Sequence, residues 1–170
     1  MDFILSELRK HIKGEVLSDL IDRQRLSHDA SIYELTPEAV IKPKNAEDIE
    51  RIVKLVSKHK QTYPQLSITP RSAGTDMSGG AIGNSLLLDM TAHFHTIESF
   101  KNNVLRVQPG TFIRNIDPIL FKEGRHIKKA DKLDRYLPVE LTAPLAASLA
   151  ITRVASNRFA TVMPTVGYAS

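Results

Sequence analysis

Pro70-Arg71-Ser72-Ala73-Gly74-Thr75-Asp76-Met77-Ser78-Gly79-Gly80 follows directly on the alternating stretch Leu66-Ser67-Ile68-Thr69, and how this loop is read decides the fold. Four glycines fall between Pro70 and Gly83, together with Ser72, Thr75 and Ser78. Glycine lets a backbone take positive φ and come close to a ligand, so that successive N–H groups can converge into an anion-binding concavity. The three hydroxyls add donors and Arg71 adds a positive charge. By itself such a loop is either a phosphate cradle or a long surface turn. Two nucleotide motifs are excluded. A P-loop requires Lys-Ser/Thr after its last glycine, where this chain has Gly80-Ala81-Ile82. The G-x-G-x-x-G spacing of a Rossmann turn is absent, and the loop runs on into a strand, not a helix.

On the N-terminal side, Asn45 is a suitable N-cap with Asp48 three residues on, a variant of the capping box. Ile49, Ile52, Val53 and Val56 follow at i, i+3, i+4 and i+7, the clearest helical stripe in the chain. Residues 31–34 and 39–42 read as strands separated by Thr36-Pro37. Residues 2–12 place Phe3, Ile4, Leu8 and Ile12 on one helical face ended by Gly14, and residues 15–24 predict a second short helix. On the C-terminal side, residues 85–89 and 104–107 read as strands, and Ile113, Ile116 and Leu120 predict a helix with Asp117-Pro118 as an internal restart. The order predicts an α+β domain.

At 170 residues and 42% hydrophobic content the chain can bury a core. It contains no cysteine, which excludes disulfides and thiolate metal sites. No apolar run reaches membrane-spanning length, and an acid at Asp2 argues against a signal peptide, so a cytoplasmic location is expected. The pI of 9.4 invites a nucleic-acid reading. No basic stripe interleaved with aromatics supports it, and no nucleic-acid partner is expected. His93-Phe94-His95 lacks a third ligand nearby and reads as a solvated turn, so no metal site is expected. His28 and Asp29 read as a turn rather than an acid/base pair, and Lys54, Lys58 and Lys60 as a solvated helix face.

The loop resembles the Pro-Arg-x-x-Gly-Thr-x-x-Ser-Gly-Gly motif of the FAD-linked oxidase superfamily that includes vanillyl-alcohol oxidase and p-cresol methylhydroxylase (PCMH-type). Its surroundings are similar to the branch with D-lactate dehydrogenases and the GlcD-like component of glycolate oxidase. The matching segments are Asp29-Ala30-Ser31-Ile32-Tyr33, the Pro37 to Pro43 stretch, the Asn45 helix, Leu86-Leu87-Leu88-Asp89-Met90 and Val107-Gln108-Pro109-Gly110, in order over residues 28–126. The resemblance implies an FAD-binding domain of two small α+β subdomains with FAD between them, incomplete in this chain, after a helical lead-in over residues 1–27. It implies that Pro70, Arg71, Ser72, Ala73, Gly74, Thr75 and Asp76 hold the pyrophosphate, that Ser78, Gly79 and Gly80 complete the cradle, and that Gly110 approaches the flavin. Some relatives carry at the Thr75 position a histidine bonded to the flavin. Threonine cannot form that bond, so FAD is expected to be non-covalent. The implied substrate is a small 2-hydroxy acid of the D-lactate or glycolate type. The relatives' substrate domain has no counterpart here, so no catalytic residue is assigned and an inactive fragment is expected. A non-catalytic flavin- or nucleotide-binding subunit completed by a separate chain is the alternative.

Past Ile127 the resemblance stops. Seven of the eight glycines precede Lys128, whereas eight of the fourteen alanines follow it. Joining the third base of each codon to the first two of the next restores what the family pattern requires. Residues 142–147 then permit Cys-Thr-Ile-Gly-Gly, residues 150–155 permit Asn-Asn-Ala-Ser-Gly, and residues 159–162 permit Arg-Tyr-Gly. Glycine codons read in the other frame surface as Ala and Leu, which accounts for the composition break. Residues 128–170 are therefore expected to be a frameshifted remainder of the same domain, with the shift between residues 128 and 137 and no selected core.

Overall fold

The computed structural model of the chain describes residues 1–101, 104–122, 124 and 139–141. In chain order the elements are α1 (Asp2–His11), β1 (Glu15–Leu17), α2 (Leu20–Arg25), β2 (Ala39–Lys42), α3 (Ala46–His59), β3 (Ile68–Arg71), β4 (Leu86–Asp89), β5 (Ile97–Lys101), β6 (Val104–Val107), α4 (Ile113–Lys122) and β7 (Val139–Leu141). They form two sheets, ordered β1-β2-β4-β3 and β5-β6-β7. Each sheet has its own apolar cluster, and the α+β expectation holds.

In the first sheet β2 and β3 both run parallel to β4, with Ile41 opposite Leu88 and Pro70 opposite Leu88 from the other side. Side chains alternate across a strand. Ala39, Ile41, Leu86 and Leu88 therefore share one face, where they pack with Ile4, Leu5 and Leu8 of α1 and Ile49, Ile52 and Val56 of α3. Val40 and Leu87 point to the opposite face and are also buried. Burial on both faces is why these strands read as unbroken apolar runs and do not alternate. The α3 stripe stands as predicted, and Asn45 Oδ1 accepts from Asp48 N at 3.0 Å, a cap contributing about 1 kcal/mol. The second core joins Leu105 and Val107 of β6 to Ile116 and Leu120 of α4, with Ile97 and Phe100 against it.

Several expectations are corrected. The helix over residues 15–24 is instead a strand followed by a helix. β1 pairs antiparallel with β2, Val16 facing Ile41, and α2 buries none of its residues. On α1 the inward positions include Leu5, while Phe3 is exposed. Residues 31–34 form no strand. They make a single bridge, His28 with Glu34, because Asp29 Oδ1 takes Ser31 N and Ser31 Oγ takes Tyr33 N, turning the chain twice. β5, which pairs antiparallel with β6, was not expected. Pro118 lies inside one helix and does not restart another. β7 runs parallel to β6, with Arg106 opposite Glu140. The remaining residues on which the reading-frame expectation falls lie outside the described ones. No helix among the described residues is long and apolar enough to cross a membrane.

Candidate functional site

The glycine loop leaves the carboxyl end of β3. Pro70 sits inside that strand without an N–H, which is tolerated because β3 is the outer strand of its sheet. Arg71 is 7% exposed. Its Nη1 donates to Leu26 O at 3.4 Å and Ala81 O at 3.2 Å. Burial lowers the pKa of its guanidinium, while Asp29 and Asp89 favour the charged form. The charge that the sequence placed beside an incoming anion is thus turned inward. It fastens the two ends of the loop to each other and to residue 26.

Gly74 has φ of +67°, and a Cβ on it would collide with the Arg71 guanidinium. Beyond it the chain closes on Asp76, whose Oδ2 accepts from Ser78 N at 3.2 Å, Ser78 Oγ at 2.9 Å and Gly80 N at 2.5 Å. Ala30 N donates to Asp76 O at 3.0 Å, tying the 28–35 segment alongside. The expected cradle therefore divides. The N–H groups of Ser78 and Gly80 face a carboxylate of their own chain. Gly79, at φ +83°, packs against the Tyr33 ring.

What remains open is the first half of the loop. Ser72, Ala73, Gly74, Thr75, Asp76 and Ala81 line one side of a cleft of about 400 Å³. Thr111, Phe112, Ile113 and Arg114, where α4 begins, line the other. Among the described residues, none accepts from the main-chain N–H of Ser72, Ala73, Gly74 or Thr75. Thr111 Oγ1 is buried, also without a partner among them. Buried polar groups in folded proteins are normally satisfied. A run of N–H donors facing an unsatisfied hydroxyl fits an oxygen-rich anion such as a diphosphate.

Gly110 is buried one residue before this wall. Its N donates to Phe94 O at 2.6 Å, and the place of a side chain is filled by the carbonyls of Met90 and Phe94. Its small size thus serves the turn after β4. Thr111 to Arg114 were not singled out in the sequence. The signal for them is their position directly after Val107-Gln108-Pro109-Gly110, at the opening of a helix. His93 and His95 lie in a turn, with His95 Nδ1 3.1 Å from Thr91 O. Among the described residues no cluster of three or more His, Asp or Glu could hold a metal. His28 Nε2 lies 3.3 Å from Glu34 Oε1 on the surface.

Comparison with known proteins places the chain among relatives of one kind. Residues 37–131 match the family described as FAD binding domain. The chain is 31% identical over 126 residues to a D-2-hydroxyglutarate dehydrogenase of Haemophilus influenzae, covering 73% of this chain and 12% of that protein. It is 36% identical over 90 residues to the glycolate oxidase subunit GlcD of Bacillus subtilis, covering 49% of this chain and 18% of that one. Among solved structures it is similar in fold to p-cresol methylhydroxylase with substrate bound. The TM-score there is 0.57 at 17% identity, covering 88% of this chain and 27% of that one. The chain thus spans about an eighth of the length of the dehydrogenase it matches.

Proposed function

The chain belongs to the FAD binding domain family, and on that premise we propose that it supplies the pyrophosphate-holding part of an FAD-linked oxidoreductase acting on a small 2-hydroxy acid. The observation that carries this reading is the run of N–H donors from Ser72 to Thr75 facing Thr111 across the cleft. When bound, FAD supplies the hydride acceptor. The chain's own part is to bind and orient. Main-chain N–H groups of residues 72–75 and the Thr111 hydroxyl donate to phosphate oxygens, Arg71 keeps the loop closed from behind, and Asp76 holds the turn at residues 78–80. The similarity to a D-2-hydroxyglutarate dehydrogenase and a glycolate oxidase component supports a 2-hydroxy acid as substrate. Thr75 offers no nucleophile of the kind that bonds a flavin covalently, which favours a dissociable cofactor.

Titrating the chain with FAD and with riboflavin, which lacks the pyrophosphate, tests this. Flavin fluorescence should be quenched on binding FAD and not riboflavin, and acid precipitation should release all the flavin into solution. Equal binding of the two flavins, or flavin held in the precipitate, counts against it.

The division of the chain belongs to the same proposal, with a lead-in to residue 27, the first part of the FAD-binding domain to residue 127, and a frameshifted remainder after it. Sequencing the DNA across residues 128–162 should show, in the shifted frame, codons for Thr-Ile-Gly-Gly under residues 143–147 and Arg-Tyr-Gly under residues 159–162. Any other reading at residues 143–147 ends the proposal.

A further inference from the structure

Arg71 is the cation that the loop motif offers to an anion, yet it is buried behind the loop on two carbonyls. The cleft contains a second guanidinium. Arg114, in the first turn of α4, lines the wall opposite the donors of residues 72–75. Its Cζ stands 4.4 Å from the centroid of the Phe112 ring, which lines the same wall. Stacking on an aromatic face holds a guanidinium without using its N–H groups. Among the described residues no carboxylate lies within ion-pair distance of it. Arg114 is thus exposed, held in place by a ring, and aligned with an otherwise uncharged set of donors. A dianionic diphosphate in the cleft would be left without a counter-charge by the loop alone.

We infer that Arg114, held on Phe112, is the cation that neutralises the cofactor's pyrophosphate against residues 72–75, the role that Arg71 has given up to hold the loop. This rests on the FAD reading above. Arg114 is a binding residue here, and a planar fork suits paired phosphate oxygens better than an ammonium does.

The test compares the wild-type chain with Arg114→Gln and Arg114→Lys, each titrated with FAD and with inorganic pyrophosphate at several salt concentrations. Both substitutions are at an exposed surface, and thermal melts confirm that the fold is kept. Arg114→Gln should weaken both ligands roughly tenfold to a hundredfold, the range for losing a charged hydrogen-bond partner. It should also flatten the dependence of affinity on salt, because the screened charge pair is gone. Arg114→Lys should keep the salt dependence and recover only part of the affinity. If FAD binds Arg114→Gln as tightly as wild type, the inference is overturned and the FAD reading stands. If the wild-type chain binds neither ligand, both are overturned.

Discussion

Gly74→Val should leave a chain that retains no FAD after gel filtration. Gly74 takes φ of +67°, a region that costs an L-residue about 1–2 kcal/mol and a β-branched one more. Strain alone would not abolish binding. The larger effect is steric, since the new Cβ falls on the Arg71 guanidinium. That group is buried and holds Leu26 O and Ala81 O, so it cannot swing into solvent without leaving two carbonyls unpaired. The loop must shift instead, and the N–H groups of residues 72–75 stop converging. Gly79→Ala is the informative contrast. It too starts from positive φ, but its Cβ would meet the exposed Tyr33 ring at 3.2 Å, and a surface ring can move aside. A reduced but measurable FAD affinity is expected there. Full FAD occupancy in Gly74→Val would show that residues 72–75 do not form the cradle.

Where local chemistry and packing agree, the elements were legible in the residues. The Asn45 cap and the Ile49, Ile52 and Val56 stripe point to the same helix, and the Leu86-Leu87-Leu88 run could only be a strand covered on both faces. Misreadings arose where two elements share one apparent period. Val16, Leu17, Leu20 and Ile21 sit at helical spacing, yet they straddle the end of β1 and the start of α2, and β1 exists because β2 offers it an antiparallel edge. β5 was hidden by the irregularity between Ile97 and Ser99, which breaks the two-residue alternation. The loop motif located one wall of the site. It could not show that Arg71 turns inward, because that depends on carbonyls at residues 26 and 81, nor that α4 supplies the opposite wall. Such facts live in tertiary contacts that no spacing encodes.

Asp48 shows the same limit most sharply and carries the largest expected effect on stability. As the third residue of α3 it reads as half of a capping box, reaching back to the N–H of Asn45. It does something else. Its side chain is fully buried, with Oδ1 accepting Lys13 N at 2.9 Å and Oδ2 accepting Lys44 N at 3.0 Å. One carboxylate thus joins the turn before β1 to the turn before α3, with Arg51 Nη1 3.8 Å away and the positive end of the helix dipole beneath it. Asp48→Ala removes the acceptor of two partly buried N–H groups and leaves a small void. At about 1–3 kcal/mol for each stranded group, discounted because water can reach part of the site, the loss should be ~2–3 kcal/mol. Asp48→Asn keeps one acceptor oxygen but aims an amide N–H₂ at the second donor, and should recover less than half of the loss. A guanidinium denaturation series measures it as a lower midpoint at unchanged slope. Because Asp48 is not among the residues lining the cleft, FAD bound per folded chain should stay the same. A loss below about 1 kcal/mol in Asp48→Ala, within the range of an ordinary surface hydrogen bond, would mean that these two contacts are not what fastens α1 and β1 to the sheet.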